Sequence, residues 1–301
     1  MRERIKTLLC IAVIVICLPV IITMIFQGES ILPDLEQDNQ KIESSEQEEE
    51  MLAAFVSILA SEMPVSYERE ALRAQAVLVR TNYYYAKASG QEPEQGLSTP
   101  ELMTLFGQDN YTTCYSILEE AVKSTSQEVL KYENQLIEAP FFSVSAGQTR
   151  SALEAFGQEN RPYLSCVDSM CDITSEDYLK VSFFTPQEMV DACNSAYPEA
   201  ALTTEDTMAQ LEILEKETSG YVKSIRIGTQ TISGEDFRRI LSLNSAYFSI
   251  TPVDGSIRIV TRGLGHGVGL STYGANELAK EGKTFEEILS YYYQNISIQQ
   301  Y

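Results

Sequence analysis

The 301-residue chain is acidic, with 22 lysines and arginines against 43 aspartates and glutamates and a net charge of −21. This balance argues against nucleic acid as a partner, because phosphate binding requires clustered lysine and arginine side chains. It is compatible with a neutral or amphoteric partner such as a glycan. The length allows one large domain or two.

The chain begins with basic residues and a long apolar run. Arg2, Arg4 and Lys6 precede residues 7–26, which contain no charged side chain. Twenty helical residues span about 30 Å, the hydrocarbon thickness of a bilayer. The run therefore predicts a single-pass anchor in the cell membrane, with the N-terminus cytoplasmic and the remaining chain outside. The alternative is a cleaved signal peptide, whose apolar region is usually shorter, about 7–15 residues.

An acidic segment follows the apolar run. Residues 27–50 carry nine acidic residues and one lysine, a composition typical of a solvated linker. The sequence therefore predicts three parts: a cytoplasmic stub and anchor at 1–26, a linker or tether at 27–50, and an extracytoplasmic domain at 51–301.

The extracytoplasmic part mixes helical and strand patterns, which predicts an α+β fold. Apolar spacing predicts a helix at 51–63 that Pro64 stops, and a second helix from a Ser66 cap to about Lys87. Further helices are predicted at 116–126, at 186–195, from 233 or 234, at 272–281, and after a capping box of Thr284 and Glu287. Strands are predicted at 128–132, 135–144, 221–232, 248–251 and 256–261, and residues 145–177 are predicted to be loop-rich.

Glu62 lies in an unusual position for a carboxylate. On a helical wheel it falls within the apolar arc of the first helix, between Ile58 and Phe55. Burial raises the pKa of a carboxyl group, as a general acid near neutral pH requires. The alternative is a Glu62 that forms an ion pair with Arg73 or Arg80 of the next helix.

Residues 263–274 contain the only histidine of the chain. Glycine occupies every second position from Gly263 to Gly269, around His266. Such glycines indicate unusual backbone dihedrals or a close approach to the backbone. A lone imidazole suits proton or metal chemistry, and the alternative is a glycine-rich turn with an incidental histidine. Because proton chemistry fits Glu62 better, we interpret this loop as groove wall, with His266 assisting.

Four cysteines follow the apolar run: Cys114, Cys166, Cys171 and Cys193. They allow three disulfide pairings, and sequence alone does not choose among them. The spacing of Cys166 and Cys171 fits a disulfide, two metal ligands or neither. On ligand type, a zinc site formed by these two cysteines and His266 is an alternative to a site without metal.

Six segments, in order along the chain, resemble the stage II sporulation protein D family of membrane-anchored lytic transglycosylases from endospore-forming bacteria. They are residues 60–64, 70–81, 141–149, 162–169, 232–241 and 265–275, which include Ala-Ser-Glu-Met-Pro and Gly-His-Gly-Val-Gly-Leu-Ser-Thr-Tyr-Gly-Ala. Together they span nearly everything from 51 to 298, and six motifs in one order are far more specific than any one.

The resemblance implies an enzyme that cleaves the β-1,4 bond between N-acetylmuramic acid and N-acetylglucosamine during engulfment, leaves a 1,6-anhydro product and requires no cofactor. The family's acidic residue lies in the Ser-Glu-Met-Pro motif, which corresponds to Glu62. The implied partners are peptidoglycan glycan strands, a cell-wall amidase and a membrane scaffold protein. Because related proteins enhance amidases, the alternative function is a non-catalytic, glycan-binding amidase enhancer.

The matching segments also indicate which residues shape the site or bind substrate. These are Arg73, Gln75, Arg80, Ser145, Gly147, His266, Gly267, Ser271 and Tyr273. The chain departs from the family at Phe142, where members often have histidine, at Ala146 in place of glycine, and at Thr272 in place of glutamine. Some members bind zinc near the missing histidine, so its loss argues against a metal, although Cys166 and Cys171 could compensate.

Overall fold

The computed structural model describes residue 18, residues 46–157 and residues 160–301. The chain divides into two units, Met1–Ala53 and Ala54–Tyr301. Residues 46–62 are helical, and α1 denotes the part of this helix that belongs to the second unit, residues 54–62. All the elements below belong to the second unit.

Helices and strands are interleaved along the second unit. The other α-helices are α2 (Arg69–Ala88), α3 (Thr99–Phe106), α4 (Tyr111–Ser124), α5 (Ala152–Phe156), α6 (Pro186–Ala196), α7 (Gly234–Ile240), α8 (Thr272–Lys280) and α9 (Phe285–Tyr292). The strands are β1 (Glu128–Tyr132), β2 (Gln135–Leu136), β3 (Phe141–Phe142), β4 (Leu179–Phe184), β5 (Leu211–Lys216), β6 (Val222–Ile227), β7 (Gln230–Ser233), β8 (Phe248–Val253), β9 (Ser256–Arg262), β10 (Leu270–Ser271) and β11 (Ser297–Gln300).

Helix α2 is the centre of the helical part. Its residues from Ala71 to Thr81 are mostly buried, and it packs against α4, α8, α9 and β1. Strand β1 is the middle strand of the antiparallel sheet β11-β1-β2, and β10 pairs with β3 in parallel. The apolar face of α2 is thus covered on several sides, as burial of an amphipathic helix requires.

A second core lies between two three-stranded antiparallel sheets, β4-β9-β8 and β5-β6-β7. Side chains from both sheets and from α6 and α7 fill it, among them Ile225, Phe237, Phe248 and Ile259. The glycine-rich loop follows β9 directly, so this core fixes where the loop begins.

The prediction of a membrane anchor is corrected. Among the described residues, no helix is both long enough and apolar enough to cross a bilayer. Helix α2 has the required 20 residues but carries five charged side chains, which a bilayer centre disfavours. The predicted single-pass helix and the predicted cell-membrane location are therefore wrong on this finding. The predicted span, residues 7–26, lies outside the described residues apart from Leu18.

The predicted elements agree with the structure in part. The mixture of helix and strand is observed, and so is the Thr284–Glu287 capping box at the start of α9. Ser66 does not cap α2, because this helix begins after Glu68. The strand predicted at 135–144 is divided into β2 and β3. Of the predicted linker, residues 27–45 lie outside the described residues, and residues 46–50 are helical and exposed.

Candidate functional site

Glu62 is the last helical residue of α1 and is half-buried. Its neighbours on the wheel, Phe55 and Ile58, are buried as predicted. The pKa of the Glu62 carboxyl is raised to about 7, chiefly by burial and then by the charge of Glu94 and a hydrogen bond with its side chain, against a smaller lowering by the Ser61 hydroxyl. The carboxyl group can therefore hold a proton at neutral pH.

The loop that carries Glu94 contacts the backbone of α1. A Cβ atom at Gly96 would lie 2.3 Å from the backbone nitrogen of Ile58, a distance too short for any side chain. The backbone nitrogen of Leu97 donates to the Ser57 carbonyl at 3.4 Å. Glycine at position 96 thus allows the close contact that holds this loop against α1.

A cavity of about 200 Å³ lies beside Glu94. Its other lining residues come from α1, α2, the loop after α2 and the segment before β3, and include Ile58, Asn82, Tyr83, Glu138 and Pro140. The Asn82 amide is fixed because it donates to the Ala139 carbonyl at 3.0 Å and accepts from the Ala139 backbone nitrogen at 2.8 Å. Glu94 connects the Glu62 carboxyl to this partly aromatic, partly polar cavity.

Neither Arg73 nor Arg80 of α2 forms an ion pair with Glu62. Arg73 donates to Glu70 at 2.9 Å and lies 4.2 Å from the ring centre of Phe285. Arg80 is buried and donates to three backbone carbonyls, those of Val122, Thr125 and Glu128. Burial lowers the Arg80 pKa to about 10. The ion-pair interpretation of Glu62 is therefore wrong, and its carboxyl group interacts with the Glu94 carboxyl group instead.

Gln75, a third predicted site residue of α2, is fully buried. Neither of its side-chain polar atoms has a hydrogen-bond partner among the described residues. A buried amide without partners is energetically unfavourable, and Gln75 forms no hydrogen bond with Glu62.

Ser145 and Ser271 are brought together by Asp172, a residue that no sequence pattern singles out. All three are fully buried. Asp172 accepts from the Ser145 backbone nitrogen at 2.9 Å and from the Ser271 hydroxyl at 3.0 Å. Burial raises the pKa of Asp172, while its hydrogen bonds lower it. The Ser271 hydroxyl also accepts from the Gly274 backbone nitrogen and so caps α8.

Two further predicted residues surround this network. The backbone nitrogen of Gly147 donates to the Ser145 hydroxyl at 3.1 Å. Tyr273 is half-buried, and its hydroxyl lies 3.1 Å from that of Thr174. The serines therefore hold the 145–147 segment to the start of α8, and Tyr273 is the more exposed member of the set.

The His266 imidazole is engaged by its own loop and by β3. Its Nδ1 atom accepts from the Val268 backbone nitrogen at 3.1 Å, and the ring forms a hydrogen bond with the Phe141 backbone. Burial lowers the His266 pKa to about 4. The imidazole is therefore neutral at pH 7, and its position in a groove wall stays a prediction.

The glycines around His266 confirm the prediction of unusual dihedrals. Gly263, Gly265, Gly267 and Gly269 all have positive φ angles, between 77° and 113°. The close approach also exists, but it comes from the protein's own chain. A Cβ atom at Gly269 would lie 1.8 Å from the Pro140 carbonyl oxygen.

Arg150 ties the glycine-rich loop to the second core, and the sequence reasoning missed it. The side chain is buried and donates to Glu217 and Glu235, each at 2.7 Å, and to the His266 carbonyl at 3.1 Å. Its backbone nitrogen donates to the Gly267 carbonyl at 2.7 Å. Its place directly after the 141–149 motif was the one available signal.

The candidate ligands of the alternative zinc site do not converge. Among the described residues, no group of three histidine, cysteine, aspartate or glutamate side chains could hold a metal ion. Cys166 and Cys171 have free thiols, as do Cys114 and Cys193. Burial raises the pKa of Cys171 to about 11, so its thiol is protonated at neutral pH.

Comparison with known proteins gives consistent matches. The stage II sporulation protein family model matches residues 40–132. The chain is 36% identical over 282 residues to the stage II sporulation protein D of Bacillus subtilis (strain 168), covering 89% of this chain and 78% of that one. It is 35% identical over 258 residues to the stage II sporulation protein D of Bacillus amyloliquefaciens, covering 81% and 72%.

A more distant match is a Bacillus subtilis protein named amidase enhancer, 24% identical over 291 residues, which cover 81% of this chain and 40% of that one. The two nearer relatives exceed 30% identity and are matched over most of their lengths. The chain therefore belongs to the stage II sporulation protein D family, a family of sporulation proteins.

Proposed function

We propose that the protein is a lytic transglycosylase that cleaves peptidoglycan glycan strands, with Glu62 as the single general acid and base. The observation that supports this most is the Glu62 pKa of about 7, which results from burial and from Glu94. A pKa near the working pH serves a group that must both give and take a proton.

The reaction needs one proton-transferring group. Glu62 protonates the glycosidic oxygen as the bond from C1 of N-acetylmuramic acid to that oxygen breaks. The C6 hydroxyl of the same sugar then forms a bond to C1, and the Glu62 carboxylate takes the hydroxyl proton. The carboxyl group returns to its starting state, no water is consumed, and no metal or cofactor is required. Hydrolases that use water normally need two carboxylates.

Within this proposal, Glu94 holds Glu62 in the protonated form until the sugar arrives. The cavity beside Glu94, with Tyr83 and the fixed Asn82 amide in its lining, offers an aromatic surface and hydrogen-bonding groups to a saccharide. Amphipathic aromatic side chains suit a ligand with apolar and polar edges.

An alternative function is a non-catalytic, glycan-binding enhancer of a cell-wall amidase. It is supported by the relative named amidase enhancer. Under this alternative, the Glu62–Glu94 pair would shape a binding site only.

The proposed activity is tested with purified protein and purified glycan strands, with anhydro-muropeptides measured by mass spectrometry. We expect the wild type to release them and Glu62→Gln to release at least about a hundredfold less, in the usual range for loss of a general acid. Glu92→Gln, which changes an exposed acid in the Glu94 loop, is the matched control and should retain activity. Equal release by wild type and Glu62→Gln would remove Glu62 from the mechanism.

The wild-type and Glu62→Gln proteins also distinguish the enhancer function from the transglycosylase function. A purified cell-wall amidase is mixed with wild type or Glu62→Gln, and stem-peptide release is followed. If neither protein forms anhydro products but both stimulate the amidase equally, the enhancer function is correct and the transglycosylase proposal is wrong.

A further inference from the structure

Strand β4 exposes three large apolar side chains in a row. Leu179, Val181 and Phe183 are 54%, 45% and 61% exposed. They occupy alternate positions of one strand and therefore share one face of the sheet. Single exposed apolar residues are common, but a contiguous strip is typical of an interaction surface.

The register of the sheet shows which face this is. Leu179, Val181 and Phe183 pair with Arg262, Val260 and Arg258 of β9. On the next strand, β8, the same face carries Ser249, Thr251 and, at the end of the strand, Val253. The opposite face contributes Phe248 and Ile259 to the second core. The outer face of β8 is thus polar at two of its three positions, as expected beside water, whereas all three outward side chains of β4 are apolar and exposed.

The two arginines give this face its charge. Arg258 donates to the Thr251 hydroxyl at 3.1 Å, and Arg262 lies 5.7 Å from the ring centre of Tyr247. In the part of the chain that the structure describes, neither forms an ion pair with an acidic side chain. Two uncompensated positive charges beside an apolar strip stand out in a chain with a net charge of −21.

We propose that the outer face of β4 and β9 is a docking surface for an amphipathic helix of another protein, with acidic residues flanking its apolar stripe. The apolar stripe would cover Leu179, Val181 and Phe183, because a helix is a common cover for the face of a sheet. The helix is complementary to the face in charge as well as in apolar surface.

The spacing of the arginines specifies the helix further. Arg258 and Arg262 are four positions apart on β9, which corresponds to about 13 Å in a strand. Eight positions of a helix rise about 12 Å. Two acidic residues about eight positions apart on one side of the stripe would therefore meet both guanidinium groups.

A second copy of this chain fits the face less well. The second copy would place its own Arg258 and Arg262 against those of the first. Like charges placed opposite each other oppose association. The docking surface consists of β4 and β9 residues and does not include Glu62, so docking is independent of the proposed enzymatic activity.

The experiment is selection of a phage-displayed peptide library on the immobilised full chain, with parallel selections on Phe183→Thr and Leu214→Thr. Leu214 is the matched control because it is an apolar residue of another strand with 48% exposure. We expect enriched sequences with an apolar helical stripe and acidic flanks. Synthetic peptides of these sequences should bind Phe183→Thr about tenfold more weakly than wild type and Leu214→Thr equally well.

Charge is tested with the double variant Arg258→Glu, Arg262→Glu, which should prefer the same peptide with lysine in place of its acids. Enrichment of sequences without acids, or enrichment that persists on Phe183→Thr, would overturn the proposal. So would binding of the full chain to vesicles of phosphatidylcholine and phosphatidylglycerol that is lost in Phe183→Thr, because the face would then be a lipid surface. Dimerisation of the wild type that Phe183→Thr abolishes would assign the face to a second copy instead.

Discussion

The carboxyl group of Glu62, at the end of α1, forms a hydrogen bond with the carboxyl group of Glu94, in the loop between α2 and α3. Two carboxyl groups form such a bond only when one of them holds a proton, and their mutual charge disfavours double ionisation. The protonation of Glu62 therefore depends on the position of a loop that α1 holds through the Gly96 contact.

Replacing Glu94 should change the pH dependence of the proposed reaction. Glu94→Gln removes a negative charge beside Glu62, so the Glu62 pKa should fall, although burial keeps it above its ordinary value. Because the general acid must be protonated, the alkaline limb of kcat/KM should move to lower pH. A carbon-13 NMR titration of Glu62 measures the same shift without substrate. Glu92→Gln should leave both profiles unchanged, and an unmoved limb in Glu94→Gln would show that Glu94 does not act on Glu62.

Glu62 should also make stability depend on pH. Its folded-state pKa of about 7 lies above the ordinary value of 4.5, so the stability it contributes is complete below pH 4.5 and lost as the pH rises through 7. Glu62→Gln does not titrate and should gain stability relative to wild type from pH 4.5 to pH 8, as urea denaturation can measure. Glu101→Gln should show the opposite trend in a lower pH range. Hydrogen bonds from Ser98 lower the Glu101 pKa below 4.5, so the loss of stability in this variant should be complete above pH 4.5 and should shrink as the pH falls below it. A gap between wild type and Glu62→Gln that is constant with pH would contradict the assignment.

Gly269 and Gly255 form a matched pair for testing the glycine-rich loop. Their φ angles are +80° and +78°. An alanine with a φ angle in this left-handed range lowers the free energy of unfolding by about 1–2 kcal/mol. Nothing lies within 4 Å of a Cβ atom at Gly255, whereas the Pro140 carbonyl oxygen lies 1.8 Å from one at Gly269. Gly269→Ala should therefore lower the free energy of unfolding by more than about 3 kcal/mol and Gly255→Ala by about 1–2. Equal losses in thermal or urea unfolding would show that the loop tolerates displacement from β3.

Arg150 should be among the most sensitive positions for stability. The Arg150–Glu217 pair is nearly inaccessible, with both side chains 3% exposed. Arg150→Met leaves a buried carboxylate without its partner, and such losses cost about 3–5 kcal/mol. The surface pair of Arg226 and Glu212 is the comparison, and Arg226→Met should cost about 1 kcal/mol or less. If the two losses measured by denaturation were similar, Arg150 would not be holding the loop to the second core.

The position of Glu62 could be predicted because it depends on local periodicity. Phe55, Ile58 and Glu62 lie on one helix, and helical spacing alone places them on one face. Glu94 could not be predicted, since it lies in a polar loop whose path is set by a tertiary contact at Gly96. Asp172 was missed for the same reason, because no periodic pattern surrounds it.

Short strands were the least predictable elements. Strands β3 and β10 have two residues each and exist because they pair with each other, which sequence spacing does not reveal. Strand β4 carries apolar side chains on its exposed face. The alternation of apolar and polar residues along this strand therefore does not show which face is buried. Helix α9 was predicted well, because its capping box of Thr284 and Glu287 lies within four neighbouring positions. The capping boxes that begin α3 and α5 were not recognised.

The pairing of β1 with β11 has a consequence for the order of folding. Glu128 lies opposite Gln300, and Lys131 opposite Ser297. The middle strand, β1, can therefore pair with β11 only after about 170 further residues have been synthesised. During synthesis, α2 can meet β1 early, but this sheet cannot close before residue 300 has left the ribosome. Contacts between such distant parts of a chain slow folding. We therefore expect the nascent domain to remain incomplete, and dependent on protection from aggregation, until its last strand is in place.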